Sequence, residues 1–271
     1  MLKKIAIGIV CLFALIGFVL VAGYFAVTFG LTNEEGIIDS QREAFLGEVN
    51  LKDSVPVQDW ENSEEWAVID SAVRRDITVL NRAAADAQVS PRLIVSSLVA
   101  EQLRLFFTER EAYKKWFYPL KILGPQSQFS WGVMGMKEET AIEVEKNLKD
   151  STSPYYLGSE FEHLLDFKTA DVETERFTRM TDQHDHYWSY LYAGLFLKQI
   201  MAQWEKAGFP INDRPEILST LYNIGFKYSN PNANPQVGGA GLTIAGKEYS
   251  FGGIASDFYK SDLLIDVLPR P

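Results

Sequence analysis

The sequence is poor in cysteine and histidine and has no run of basic residues. Its 271 residues include one cysteine, Cys11, and three histidines. A single cysteine excludes an internal disulfide framework and a cysteine-built zinc site. The 26 Lys and Arg are outnumbered by 36 Asp and Glu, a formal net charge of −10. No nucleic-acid partner is expected, because binding phosphates needs a basic face. The chain also lacks a His-Glu-x-x-His pair, a phosphate loop and a Gly-x-Ser-x-Gly elbow, so no cofactor is expected.

Hydrophobic residues, by contrast, make up 46% of the chain and aromatics 13%, enough to bury a full core. The longest apolar run is at the N-terminus. Lys3 and Lys4 precede residues 5–31, and no charge follows until Glu34. A helix needs about 20 apolar residues to cross a bilayer, whereas the apolar region of a cleavable signal is about 7–15 residues. Residues 1–32 therefore read as an uncleaved single-pass transmembrane helix. Lys3 and Lys4 would stay in the cytoplasm, and the soluble part would face the periplasmic side of the inner membrane. A long signal peptide is the alternative, and both readings export residues 33–271.

Residues 33–62 are polar and mixed, with Pro56, and read as a linker. Residues 63–271 read as one mainly α-helical domain with a core over about 83–225 and an extension over 226–271. Ser63, with Glu64 and Glu65 behind it, is an N-cap signal. Trp66, Ile69, Val73, Ile77, Leu80 and Ala84 recur at three- and four-residue steps, the apolar stripe of a helix. Ser90-Pro91 opens a second helix through Glu101 to about Phe107. Residues 108–117 read as helical, and the Gly-punctuated loop GPQSQFSWGVMGM leads to a helix from Glu138. Residues 161–180 fit no single pattern. Tyr187 to Ala207 is helical and is stopped by Gly208 and Pro210. Arg214-Pro215 opens another helix. Residues 229–241 are an Asn/Pro/Gly loop, a short β-hairpin is read around Gly246-Lys247, and a last short helix runs over 252–264.

Glu101 is the one acid in VSSLVAEQLRLFF. At 3.6 residues per turn it shares a narrow polar strip with Ser97 and Arg104. If the strip faces water, Glu101 pairs with Arg104 and supports the helix by about 0.2–0.5 kcal/mol. If the strip lines a cleft, partial desolvation favours the protonated form that a glycosidic general acid requires. The helix alone leaves both readings open. Asp182-Gln183-His184-Asp185-His186 holds two of the three histidines. It reads as a polar turn or as two metal ligands, but it has no third ligand at a fitting spacing, so no metal is expected.

Four segments, in order, carry a resemblance. AADAQVSPRLIVSSLVAEQ resembles the catalytic helix of the lytic transglycosylases and goose-type lysozymes, in which a Val-x-Pro turn opens a helix ending in the catalytic Glu. Gly132-Val133-Met134-Gly135-Met136 and then Thr140-Ala141 resemble their Gly-Leu-Met-Gln segment and the helix after it. Residues 190–197, with Gly194, resemble a helix with a central Gly, and Leu221-Tyr222-Asn223-Ile224-Gly225 stands where the family has Ala-Tyr-Asn-x-Gly. Three residues depart from the pattern. Gln102 replaces a frequent Ser, Gly135 replaces the motif Gln, and Tyr190 replaces an Asn.

The resemblance implies a lysozyme-like fold and cleavage of the β-1,4 bond between N-acetylmuramic acid and N-acetylglucosamine in peptidoglycan. It implies Glu101 as the single catalytic acid/base, with Tyr222 and Asn223 shaping the site. Ser130, Trp131, Met134 and Gln102 are the further residues expected to meet the glycan. A hydrolytic lysozyme, or an inactive glycan-binding or scaffolding relative, remains an alternative on the same fold.

Overall fold

The computed structural model describes residues 59–107, 130–182, 184–244 and 246–270. Among them, seven α-helices surround a mostly helical core. The chain enters through a 3-10 turn, Trp60–Asn62, whose Trp60 is buried edge-on against Trp66 at 5.5 Å. Packing thus begins just before Ser63. Helix α1 spans Glu64–Ala87, and the Ser63 hydroxyl accepts the Trp66 N–H at 3.0 Å, as an N-cap should. Its stripe of Trp66, Ile69, Val73, Leu80 and Ala84 is buried, and Ile77 is partly so. Helix α2, Pro91–Phe107, is buried continuously from Arg92 to Leu103. Every face of that helix therefore needs a partner, the serines and Glu101 included.

Strands β1 (Ser130–Trp131) and β2 (Met136–Lys137) form a minimal antiparallel hairpin around Gly132–Gly135. Helix α3 follows at Glu138–Lys149. A turn-rich segment then runs to α4, Val172–Met180, which is where the ambiguous residues 161–180 divide. Helix α5, Tyr187–Lys206, crosses the core, and α6 spans Pro215–Ile224 with proline in its first turn. A second hairpin pairs β3 (Gly241–Ile244) with β4 (Lys247–Ser250), and α7 closes the fold at Phe251–Lys260.

Helix α2 is the hub. It packs against α7, α1, α6 and α5, while α1 also lies along α5. Close approach of α5 requires Gly194, since a Cβ there would sit 2.7 Å from the Ala87 Cβ and 3.2 Å from Ile94 Cδ1. Arg92 joins α2 to α7. Its guanidinium is fully buried and donates to five main-chain carbonyls, those of Phe258, Tyr259, Ser261, Leu263 and Leu268, at 2.7–3.0 Å.

The expectation of a single-pass membrane protein is corrected here. Among the described residues no helix is long and apolar enough to cross a membrane. The longest, α1, has 24 residues but turns charged residues such as Arg74 and Arg82 outward and buries only one stripe. The expected anchor over residues 5–31, the linker up to residue 58 and the helix expected over 108–117 lie outside the described residues.

Candidate functional site around Glu101

Glu101 sits near the C-terminal end of α2, beyond which the helix is only partly buried, and is itself 4% exposed. The strip that it shares with Ser97 and Arg104 does not face water. The Ser97 hydroxyl shares a 2.9 Å hydrogen bond with that of Ser219 on α6. Arg104 turns back and grips the Glu101 carboxylate with two N–H groups, Nε to Oε2 at 2.9 Å and one terminal N–H to Oε1 at 2.6 Å. Burial pulls the guanidinium pKa down, but the hydrogen bonds and charge of Glu101 outweigh it and leave it raised. The pair is therefore the i,i+3 ion pair expected from the helix, but in a desolvated setting.

The opposite side of the carboxylate is covered by the Gly132–Gly135 turn. Gly135 has φ +63°, and a Cβ there would lie 2.2 Å from Glu101 Oε1. The carboxylate thus occupies the space that a side chain at position 135 would need. A larger residue at 135 is incompatible with this Glu101 rotamer. Two groups hold the turn. Gln102 Nε2 donates to the Val133 carbonyl at 2.7 Å, and the Tyr222 hydroxyl donates to the Met134 carbonyl at 2.9 Å. Burial, and then the nearby charge of Glu101, push the Tyr222 phenol well above its ordinary pKa, so it stays a donor. The Gln102 Oε1 is buried with no hydrogen-bond partner among the described residues.

The other expected residues are placed as follows. Met134 is fully buried, and Trp131 is 4% exposed with its ring edge-on to Phe177 at 5.4 Å. Both are core residues in this state. Ser130 lies in β1, opposite Lys137. Asn223 Oδ1 accepts the Ala240 N–H at 2.8 Å, and the Thr220 hydroxyl accepts the Gly238 N–H at 3.0 Å. These two residues pin the end of the 229–241 loop to α6. Glu101, Gln102, Met134, Gly135 and Tyr222 are thus brought together, while Trp131 and Asn223 serve packing and loop anchoring beside them.

The histidine cluster is used locally. Asp182 Oδ1 accepts the N–H groups of His184 and Asp185, and Asp185 accepts that of Tyr187 at the start of α5. His186 Nδ1 lies 2.6 Å from Asp76 Oδ2, which also accepts the Tyr190 hydroxyl at 2.7 Å. Tyr190 is thereby engaged with α1. Among the described residues no group of three His, Cys, Asp or Glu could hold a metal.

Sequence reasoning missed Gly135 as the floor under the carboxylate and Arg92 as the clamp. Glycine at 135 is a signal only once the rotamer of Glu101 is known. Arg92 has a signal of its own, an arginine in the first turn of a helix whose other residues are mostly apolar. No family model matches the chain, and neither a curated protein nor a solved structure matches it.

Proposed function

We propose that this protein cleaves the glycan strand of peptidoglycan, with Glu101 as its single acid/base. One observation carries the reading. Three segments far apart in sequence, the end of α2, the Gly132–Gly135 turn and Tyr222 of α6, meet at one buried carboxylate. Those are three of the four segments that resemble the lytic transglycosylases.

In the lytic route, the protonated carboxyl of Glu101 gives its proton to the bridging oxygen as the bond from that oxygen to C1 of muramic acid breaks. The resulting carboxylate then takes the proton of the sugar's own 6-hydroxyl as that oxygen closes on C1. One carboxyl serves both steps, so no second protein carboxylate is needed, whereas ordinary glycoside hydrolysis uses two. Tyr222 and Gln102 keep the Gly132–Gly135 turn in place behind the acid.

The test is incubation of the full chain with purified peptidoglycan. Anhydro-muropeptides are expected from the wild type and none from Glu101→Gln. Hydrolysed reducing ends instead would indicate a lysozyme. No release at any pH from acid to neutral would overturn the enzyme reading. A glycan-binding relative without chemistry is the second reading. It is favoured by the Arg104 fork, which holds Glu101 as an ion pair. Retained affinity for peptidoglycan with no cleavage would establish it.

A further inference from the structure

A general acid must carry a proton when the bond breaks, yet both oxygens of Glu101 accept hydrogen bonds from Arg104. A protonated carboxyl cannot satisfy a two-pronged guanidinium in this way. Protonation of Glu101 therefore leaves Arg104 without its counter-ion. The Arg104 side chain is only 17% exposed. A guanidinium stripped of its partner in such a place is strongly disfavoured. The lowest-cost relief is another carboxylate, because the planar fork matches that shape and charge, and a sugar hydroxyl matches neither.

We infer that Arg104 is a specificity-determining residue that exchanges the Glu101 carboxylate for a carboxylate carried by the glycan, freeing Glu101 to act as acid. The inference rests on the glycan-cleaving reading of Glu101. It also narrows the substrate to acidic glycans. Muramic acid meets the requirement through its lactyl carboxyl where that group is free, or through the carboxylates of an attached stem peptide. Chitin, which is neutral, does not. The ion pair fits because Gly135 leaves room for the carboxylate against the turn. Arg104 touches Glu101 from the partly exposed end of α2.

The experiment uses the full chain with 13C-labelled glutamate carboxyls. The Glu101 resonance is identified by its loss in Glu101→Gln. Three probes are compared: chitotetraose, the denuded disaccharide dimer of peptidoglycan with free lactyl carboxyls, and the same glycan bearing stem peptides. The acidic glycans are expected to move the Glu101 resonance in the direction seen in Arg104→Ala, and chitotetraose to leave it in place. A shift with the denuded glycan identifies the lactyl group as the exchanging carboxylate, and a shift with the peptide-bearing form alone identifies the stem. Cleavage of the acidic glycan is expected to exceed that of chitotetraose by at least about tenfold, the factor for releasing a competent state populated at about one part in ten. Arg104→Ala should abolish that preference by accelerating chitotetraose cleavage.

Should Arg104→Ala fail to fold, Arg104→Gln removes the charge, keeps a hydrogen-bond donor beside Glu101 and should lose the same preference. An equal resonance shift with chitotetraose, or a preference that survives both substitutions, overturns the exchange. If no variant cleaves any glycan, the enzyme reading fails and the resonance alone decides: movement with the acidic probes only upholds the exchange as a binding device, and no movement overturns it.

Discussion

Arg92 and Arg104 stand at opposite ends of the same helix, and each is held in a different way. Among the described residues Arg92 has no acidic hydrogen-bond partner, and its five N–H contacts are to backbone carbonyls of α7 and the turn beyond it. Arg104 is held by one carboxylate three residues away. Burial lowers the Arg92 pKa, whereas the Glu101 charge leaves that of Arg104 raised. A cation satisfied by carbonyls spread over 11 residues of chain, Phe258 to Leu268, can leave only if that chain unfolds. A cation satisfied by a single carboxylate can be exchanged by rotating one side chain. The first end of α2 is therefore built for permanence and the second is able to switch.

The largest effect that would break this contrast is at Arg92. Arg92→Ala leaves five carbonyls without their donor and is expected to cost at least about 3–5 kcal/mol, read from urea unfolding. A loss below about 1 kcal/mol would mean that the clamp is incidental. Arg104→Leu is expected to cost about 3 kcal/mol, because it strands a buried carboxylate. The double change Glu101→Leu with Arg104→Leu should return to within about 1 kcal/mol of the wild type, since apolar replacement of a buried pair is often neutral. If the double variant is as unstable as the single, the pair is a structural element like Arg92.

Gly135→Ala is smaller and tests the floor of the site. The new methyl meets Glu101 Oε1 at a backbone φ of +63°, for an expected cost of about 1–2 kcal/mol. It should also reduce glycan cleavage, because the acid is displaced. The mildest test is at Glu175, which mirrors Arg92 in charge. Its carboxylate accepts the main-chain N–H groups of Lys168 and Thr169 and the Thr169 hydroxyl. Burial raises its pKa, but these hydrogen bonds and the Arg179 charge prevail and bring it down to about 2. A depressed carboxylate stabilises the fold above its unfolded pKa of about 4.3 and loses that contribution as pH falls toward 2. The melting temperature of Glu175→Gln should thus lie below that of wild type at pH 6, and the gap should narrow as pH falls toward 2. A gap that stays constant over that range would mean that Glu175 acts through packing alone.

How much was legible beforehand depended on how local the cause was. Helix ends governed by Ser63, Pro91, Gly208 and Pro215 could be read because caps and prolines act within one turn. The hairpin around Gly246-Lys247 was legible from its own turn residues. The ion pair of Glu101 with Arg104 was legible as one of two readings, from their three-residue spacing. Its burial was not. Burial is decided by α6 and the Gly132–Gly135 turn, which come from about 30 to 120 residues further along the chain. Trp131 was read as a residue to meet sugar and Asn223 as one to shape the site. Periodicity cannot tell a core aromatic from a stacking one, nor a loop anchor from a ligand contact.

The sequence by itself determined where most of the helices begin, that the described chain is mainly helical, and that Glu101 and Arg104 share one strip of α2. Those outcomes follow from backbone geometry and contacts within a few residues. Only the tertiary structure decided that the pair is out of water, that Gly135 makes room beneath it, and that Arg92 locks the far end of the same helix to the C-terminal turn. Each of these depends on which distant segment removes solvent or supplies a carbonyl, and that is settled when the helices pack, not by residue order along any one of them.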